Sequence, residues 1–245
     1  MTTPVLILSP RYTDDARLVR SAALEAGWEV VRAQGWRLES GRVGGRWAVY
    51  GEPLFGRLIA EQLGGALVEP ALDWLARLDG RWVGRGVRAM TVGEARGLVG
   101  PWFIKPADDK RFAAAVYEGG AALPPLVEDE APALVSEVVA WEQEWRFFVA
   151  DGVALAGSVY LRGGALAEDL VSGEWAASEA EREAAWGFVG ALLEAVEVPQ
   201  ACVVDVGIMR GRGWGVIEAN PAFGAGIYGC DPAAVLRVLA RCVSG

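Results

Sequence analysis

The segment VVDVGIMRGRGWGVIEANPAFGAGIYGCD, residues 203–231, admits few folds. Val203-Val204-Asp205-Val206-Gly207-Ile208 is apolar except for one acid, and Trp214-Gly215-Val216-Ile217-Glu218-Ala219-Asn220 is a second such run. Arg210-Gly211-Arg212-Gly213 between them supplies glycines where a tight turn needs positive φ, so the two runs read as one β-hairpin. Side chains alternate across a strand, so Glu218 and Asn220 leave the same face, and pairing can bring Asp205 opposite them. Two carboxylates and an amide carbonyl on one face are hard-oxygen ligands suited to Mg²⁺ held together with phosphates. The same spacing also describes the solvated polar face of an edge hairpin, because alternation makes same-face polar pairs common.

Composition narrows the chemistry. With 245 residues, 53% of them hydrophobic, the chain has ample core for one large domain or two to three lobes. No apolar run approaches the roughly 18 residues of a membrane span, and the first residues lack the charge and apolar length of a secretory signal. The three cysteines are an odd number without metal-like spacing, which points to a reduced, cytoplasmic setting. A net charge of −9 argues against bulk binding of nucleic acid, although a local basic groove escapes that average. There is no histidine, which excludes Ser-His and Cys-His nucleophile systems and His-based zinc sites. Of the 23 basic residues only Lys105 and Lys110 are lysines, and both fall in Lys105-Pro106-Ala107-Asp108-Asp109-Lys110. A lysine ammonium is a compact point charge suited to phosphate, whereas arginine offers a planar fork.

Along the chain, residues 4–9 read as a strand, 13–26 as a helix with Gly27 as its stop, and 28–33 as a returning strand. That β-α-β opening predicts a parallel sheet. Residues 46–50 and 66–68 add strands, 54–63 a helix and 70–78 a short helix. No phosphate-binding glycine fingerprint follows the first strand. Residues 81–90 read as a strand, Thr91 to Glu94 as a capping box, and 102–105 as a strand running into the two-lysine loop. Residues 112–117 and 134–140 are further strands, the latter carrying Glu137. In residues 142–149, alternation puts Glu144 and Arg146 on one face, where they also read as an ordinary ion pair. Asp151-Gly152 signals a hairpin to 153–161. Residues 178–196 form a long helix with Ser178 as N-cap, and 232–242 a closing helix.

A strand ending in lysine, a strand with an acid, a strand with Glu-x-Arg, a helix, and a hairpin with Asp and Glu-x-Asn follow in that order. Each part has a task in phosphoryl transfer, where positioning and charge neutralisation dominate. This order resembles the ATP-grasp family of carboxylate–amine ligases. The resemblance spans about residues 81–245, through Lys105 in FIKP, Ser136-Glu137-Val138-Val139, Arg146, and above all Asp205 with Ile217-Glu218-Ala219-Asn220-Pro221. Within the family, residues 102–117, 141–149 and 223–229 look like a small bacterial and phage clade.

The resemblance implies an α/β (α+β) fold: a parallel N-terminal α/β domain (1–80) before a two-lobed ATP-grasp unit with mostly antiparallel sheets, the small lobe at 81–135 and the large lobe at 136–245. It implies ATP with one or two Mg²⁺ ions, and an ATP-dependent ligation of a carboxylate to an amine or other nucleophile through an acylphosphate. Lys105, Lys110, Ser136, Glu137, Val138, Val139 and Glu144 would bind the nucleotide. Asp205, Glu218 and Asn220 would hold the metal, and Arg146 and Lys110 would serve catalysis. Arg162, Gly226 and Tyr228 are candidate substrate contacts. Two departures stand out: the family's second lysine, just before the adenine hinge, is absent, and no glycine-rich phosphate loop is evident. The same scaffold also suits a kinase, an RNA-end or tRNA-modifying enzyme, or a non-catalytic nucleotide-binding module. The expected partner is a small molecule or peptide, with no membrane; a tRNA or RNA end and a homodimer stay open.

Overall fold

The computed structural model describes residues 3–38, 41, 43–108 and 110–244. The chain opens with β1 (Val5–Leu8), wholly buried, and α1 (Asp14–Glu25). Thr13 caps the helix by accepting from the Ala16 N–H (3.1 Å), Asp14 and Asp15 fill its acidic first turn, and Gly27 follows it at φ 75°. β2 (Glu29–Arg32) and β3 (Trp47–Tyr50) flank β1, both parallel to it. The expected β-α-β opening is therefore present. α2 (Pro53–Gln62) starts on a proline, which has no N–H to leave unpaired, and β4 (Ala66–Leu67) follows.

Two sequence expectations are corrected in the next stretch. Residues 70–78 form only one 3₁₀ turn, Trp74–Arg77, and residues 81–90 are not a strand throughout. Asp79 accepts from the Arg81 N–H (2.9 Å) and starts a one-turn helix, α3 (Gly80–Val83), which Gly84 ends at φ 62°. The strand β5 (Val87–Thr91) begins only after that turn. α4 (Val92–Arg96) carries the expected Thr91/Glu94 capping box.

β6 (Val99–Pro106), β7 (Ala115–Gly119) and β8 (Pro132–Ser136) join β5 in an antiparallel sheet of order β5-β8-β6-β7. β7 starts at Ala115 rather than 112, since Phe112 is drawn into the core of this sheet. β9 (Trp141–Ala150) and β10 (Val153–Arg162) form a hairpin whose turn residues Asp151 and Gly152 both take positive φ. β11 (Ala165–Leu166), α5 (Glu179–Ala195), β12 (Ala201–Met209) and β13 (Gly213–Asn220) complete a second antiparallel sheet, order β11-β10-β9-β12-β13. Gly211 and Gly213 take positive φ in the last hairpin, as its turn requires. α6 (Pro232–Leu239) and β14 (Val243–Ser244) return to the N-terminal unit, β14 pairing with β4.

The second sheet is buried on both faces. Phe148, Val203 and Phe223 share one core with α6 and the N-terminal sheet. Trp145, Phe147, Val204 and Val206 face the other way, onto Val189 and Leu192 of α5. Full burial of one such phenylalanine contributes about 1.5–3 kcal/mol. These alternating faces hold the central strands rigidly, and that rigidity positions the polar residues set into them.

The start of α5 yields a first prediction. Glu181 completes a capping box with Ser178 and also accepts from Arg162 (2.7 Å) and Gln143 (2.7 Å). The Arg162 hydrogen bond first, then the Ser178 N–H, hold its carboxyl at about 2 against an ordinary 4.5. A depressed carboxylate stabilises fully above its ordinary pKa and loses that contribution as pH falls through its folded one. Glu181→Gln is therefore expected to lower Tm at pH 7 by roughly 2–4 °C, with the gap to wild type closing between pH 4.5 and 2. Thermal melts across that range check this, and a gap independent of pH would contradict it.

Candidate functional site

Register places Ser158, Arg146, Asp205 and Glu218 in one row across β10, β9, β12 and β13. The hairpin expectation that Asp205 faces Glu218 is met directly. Arg146 grips Asp205 with two hydrogen bonds, Nε to Oδ1 at 2.9 Å and Nη2 to Oδ2 at 2.6 Å. Its Nη1 donates to the Gly226 carbonyl at 3.1 Å, and the rings of Tyr228 and Tyr160 lie 4.9 and 5.3 Å from the guanidinium carbon. Arg146 is 7% exposed and Asp205 is fully buried. Burial pushes the Asp205 carboxyl up, and Arg146 opposes that push. The ion pair read within β9 is thus corrected: Arg146 pairs with Asp205, and Glu144 instead accepts from the Tyr160 hydroxyl (2.8 Å). The reason is sheet order, which lays β12 against β9.

At the other end of the row, Lys105 at the end of β6 forms a short ion pair with Glu218, and Asn220 Nδ2 donates to Glu218 Oε1 at 2.7 Å. Burial raises the Glu218 carboxyl, but the Lys105 charge and the hydrogen bonds from Lys105 and Asn220 outweigh it and leave it below the usual range. A divalent cation suits part of this set. Glu218 and Asn220 line a cavity, and among the described residues no donor reaches the Asn220 carbonyl oxygen. Asp205 lies behind them with both oxygens committed to Arg146, so it would join a metal shell only by releasing that arginine.

Two cavities meet at Lys105 and Glu218. The first, of about 460 Å³, lies between the two antiparallel sheets and is lined by Phe103, Arg85, Trp141, Glu144, Ile217 and residues 136–139. Pairing of β8 stops at Ser136, so the expected strand over 134–140 ends there, and 137–140 is a connector. Among the described residues nothing hydrogen-bonds the backbone of Val138 or Val139. Those N–H and C=O groups are available to a base edge. Glu137 accepts from the Gly86 N–H (2.8 Å) and Arg212 (2.9 Å), tying the connector to the small sheet and to the last hairpin. The Gly86 hydrogen bond first, then Arg212, lower its carboxyl. Burial raises that of Glu144.

The second cavity, of about 780 Å³, runs from Lys105, Glu218 and Asn220 past Asp108 and Lys110 to Arg57 and Glu69. Arg162 lines neither cavity and is held by Glu181 and the Ala176 carbonyl. Gly226 and Tyr228 pack on Arg146 in a loop where Tyr228 takes φ 48°, a conformation that bulky residues adopt only when their surroundings impose it.

Three features were missed in the sequence. Arg85 enters the first cavity over the Trp141 ring (5.0 Å) and donates to the carbonyls of Val216 (2.8 Å) and Val83 (3.0 Å). Burial lowers it to about 10. The absent second lysine left room for such a cation, but nothing local distinguishes Arg85 from the other arginines. Asp15 accepts from the Ile227 N–H (3.1 Å) and Tyr50 donates to the Ala225 carbonyl (2.9 Å), so the N-terminal unit clamps the loop after β13.

Comparison with known proteins bears on this geometry. A family model described as an ATP-grasp domain, the second family of its clade, matches residues 82–238. No curated protein matches the chain in sequence. Among solved structures, a RimK domain protein ATP-grasp from Sphaerobacter thermophilus is similar at 18% identity and TM-score 0.59, over 97% of this chain and 99% of that one. D-alanine–D-alanine ligase from Bacillus anthracis is similar at 13% identity and TM-score 0.54, over 98% and 97%. The same ligase complexed with ATP gives 13% and 0.52, over 99% and 97%. At these identities the likeness is one of fold: mixed α/β with mostly antiparallel sheets.

Proposed function

The chain belongs to the ATP-grasp family, in the clade that this model describes, and from that premise we propose that it is an ATP-dependent ligase joining a carboxylate to an amine. The observation that carries this reading is the meeting of two cavities at one cation–carboxylate pair, Lys105 with Glu218. A nucleotide in the first cavity, its base edge on residues 137–139, would direct its phosphates past Lys105 toward the second. The structural likeness to a D-alanine–D-alanine ligase complexed with ATP supports this placement.

In the first step a carboxylate oxygen of one substrate attacks the γ-phosphorus, the bond to the β–γ bridging oxygen breaks, and ADP leaves. In the second, the amine nitrogen attacks the acyl carbon, the carbon–oxygen bond to phosphate breaks, and phosphate and a proton leave. Lys105 and Lys110 offset phosphate charge, and Lys105 is released by Glu218 as it does so. Mg²⁺ held by Glu218 and Asn220, with Asp205 behind, would neutralise the developing charge on the phosphate oxygens. Arg146 anchors the Gly226–Tyr228 loop above Asp205 and so fixes the floor on which the phosphoryl group is transferred. No step needs a side-chain nucleophile, consistent with a chain without histidine.

The test is product analysis with ATP, Mg²⁺ and mixed carboxylates and amines. ADP and inorganic phosphate should appear in equal amounts, and Glu218→Ala should lower turnover by about 10²–10³-fold. A phosphorylated acceptor without free phosphate would identify a kinase, and full turnover by the variant would overturn the site.

A further inference from the structure

The two-lysine loop contains a residue that phosphate binding does not explain. Asp108 sits between Lys105 and Lys110 in the wall of the second cavity. Its Oδ2 is 3.1 Å from Arg111 Nη2, while its Oδ1 is buried and receives no hydrogen bond. It is the one buried side-chain oxygen or nitrogen without a partner among the described residues. An unpartnered buried carboxylate oxygen is costly, and such groups in folded proteins call for a specific cause. Phosphate cannot be the cause: its oxygens are acceptors and negatively charged, so at contact they would repel Asp108. The donors of a nucleotide, on base and ribose, belong to the first cavity beside the 137–139 backbone.

The second cavity therefore offers a mixed set of charges. Lys110 forms no ion pair with any described residue and suits the phosphoryl group, whereas Asp108 Oδ1 calls for a hydrogen-bond donor next to it. Arg57 and Glu69 close the far end as a two-bonded pair (2.9 and 2.8 Å), and Pro70, Leu72 and Pro221 supply apolar wall. We propose that this cavity is the acceptor site and that Asp108 recognises the amine of the acceptor, holding it beside the phosphoryl group that Lys110 contacts. The substrate class is then a primary amine on a small, partly apolar body. This assignment rests on the ligase reading. It moves acceptor recognition away from Arg162, which is bound up with Glu181, and into the loop of the small sheet.

The test uses ethylamine hydrochloride as probe, with wild type and Asp108→Asn each loaded with Mn²⁺ and an ATP analogue carrying a β,γ-imido bridge. Ligand-observed NMR reads ethylamine affinity, and electron paramagnetic resonance counts bound Mn²⁺. The expected result is ethylamine binding to wild type, weakened at least tenfold in Asp108→Asn, with the Mn²⁺ count the same in both. Asp108→Asn should also melt no lower than wild type, because it removes an unsatisfied anion and loses only a half-exposed contact with Arg111. Equal ethylamine affinity in the two proteins, or no ethylamine binding to nucleotide-loaded wild type, would overturn the assignment. A lost Mn²⁺ would overturn it too, making Asp108 a metal ligand. Wild type that takes up no nucleotide would refute the ligase reading itself.

Discussion

Arg146→Met is expected to destabilise the protein by about 3–5 kcal/mol, the cost of leaving a buried carboxylate without its partner. Asp205 is fully buried and both of its oxygens are bound by Arg146, so no solvent can replace the lost guanidinium. The variant also loses the hydrogen bond to the Gly226 carbonyl and the cation packed against Tyr160 and Tyr228. Tm should fall by on the order of 10 °C. The informative control is the double variant Arg146→Met with Asp205→Leu, which removes both charges and refills the space. It should recover most of the loss, because a buried ion pair costs almost as much in desolvation as it returns in attraction. Urea unfolding of the three proteins measures this. A single variant within about 1 kcal/mol of wild type would show that Asp205 finds other partners.

Lys105→Met is expected to act on the nucleotide rather than on the fold. The Lys105 side chain is 18% exposed and Glu218 is 29% exposed, so water can resolvate the carboxylate left behind. Loss of a charge-assisted contact to phosphate should weaken ATP binding by roughly 10–100-fold, from the ~1.5–3 kcal/mol that such hydrogen bonds are worth. Turnover should fall further, by about 10²–10³-fold, if the ammonium also meets charge developing on the transferred group. Calorimetric titration with the imido analogue of ATP separates binding from chemistry. Unchanged nucleotide affinity would place the phosphates away from Lys105.

Much of this site was legible before any coordinates. The Asp205/Glu218/Asn220 face follows from strand alternation and a turn that demands glycine, both local properties. Likewise the capping boxes at Thr91 and Ser178 are four-residue signals that need no tertiary context. The one-turn helix at Gly80 was missed because an Asp-Gly-Arg start outcompeted an apolar run that reads equally well as a strand. Arg85 was missed for a different reason. Its place in the first cavity depends on carbonyls of β13, more than a hundred residues away in the chain.

The sequence by itself determined which residues share a face and where the chain turns, since alternation, capping and the φ demands of glycine act over a few residues. It also determined the chemistry on offer: no imidazole, two lysines in one loop, and oxygen ligands on one hairpin. Only the tertiary structure decided who meets whom. The order β10-β9-β12-β13 gave Arg146 to Asp205 rather than to Glu144, and the approach of the two antiparallel sheets gave Glu218 to Lys105. It also left one oxygen of Asp108 without a partner. Periodicity records the face of a strand but carries no information about its neighbour, and neighbours decide charge pairing.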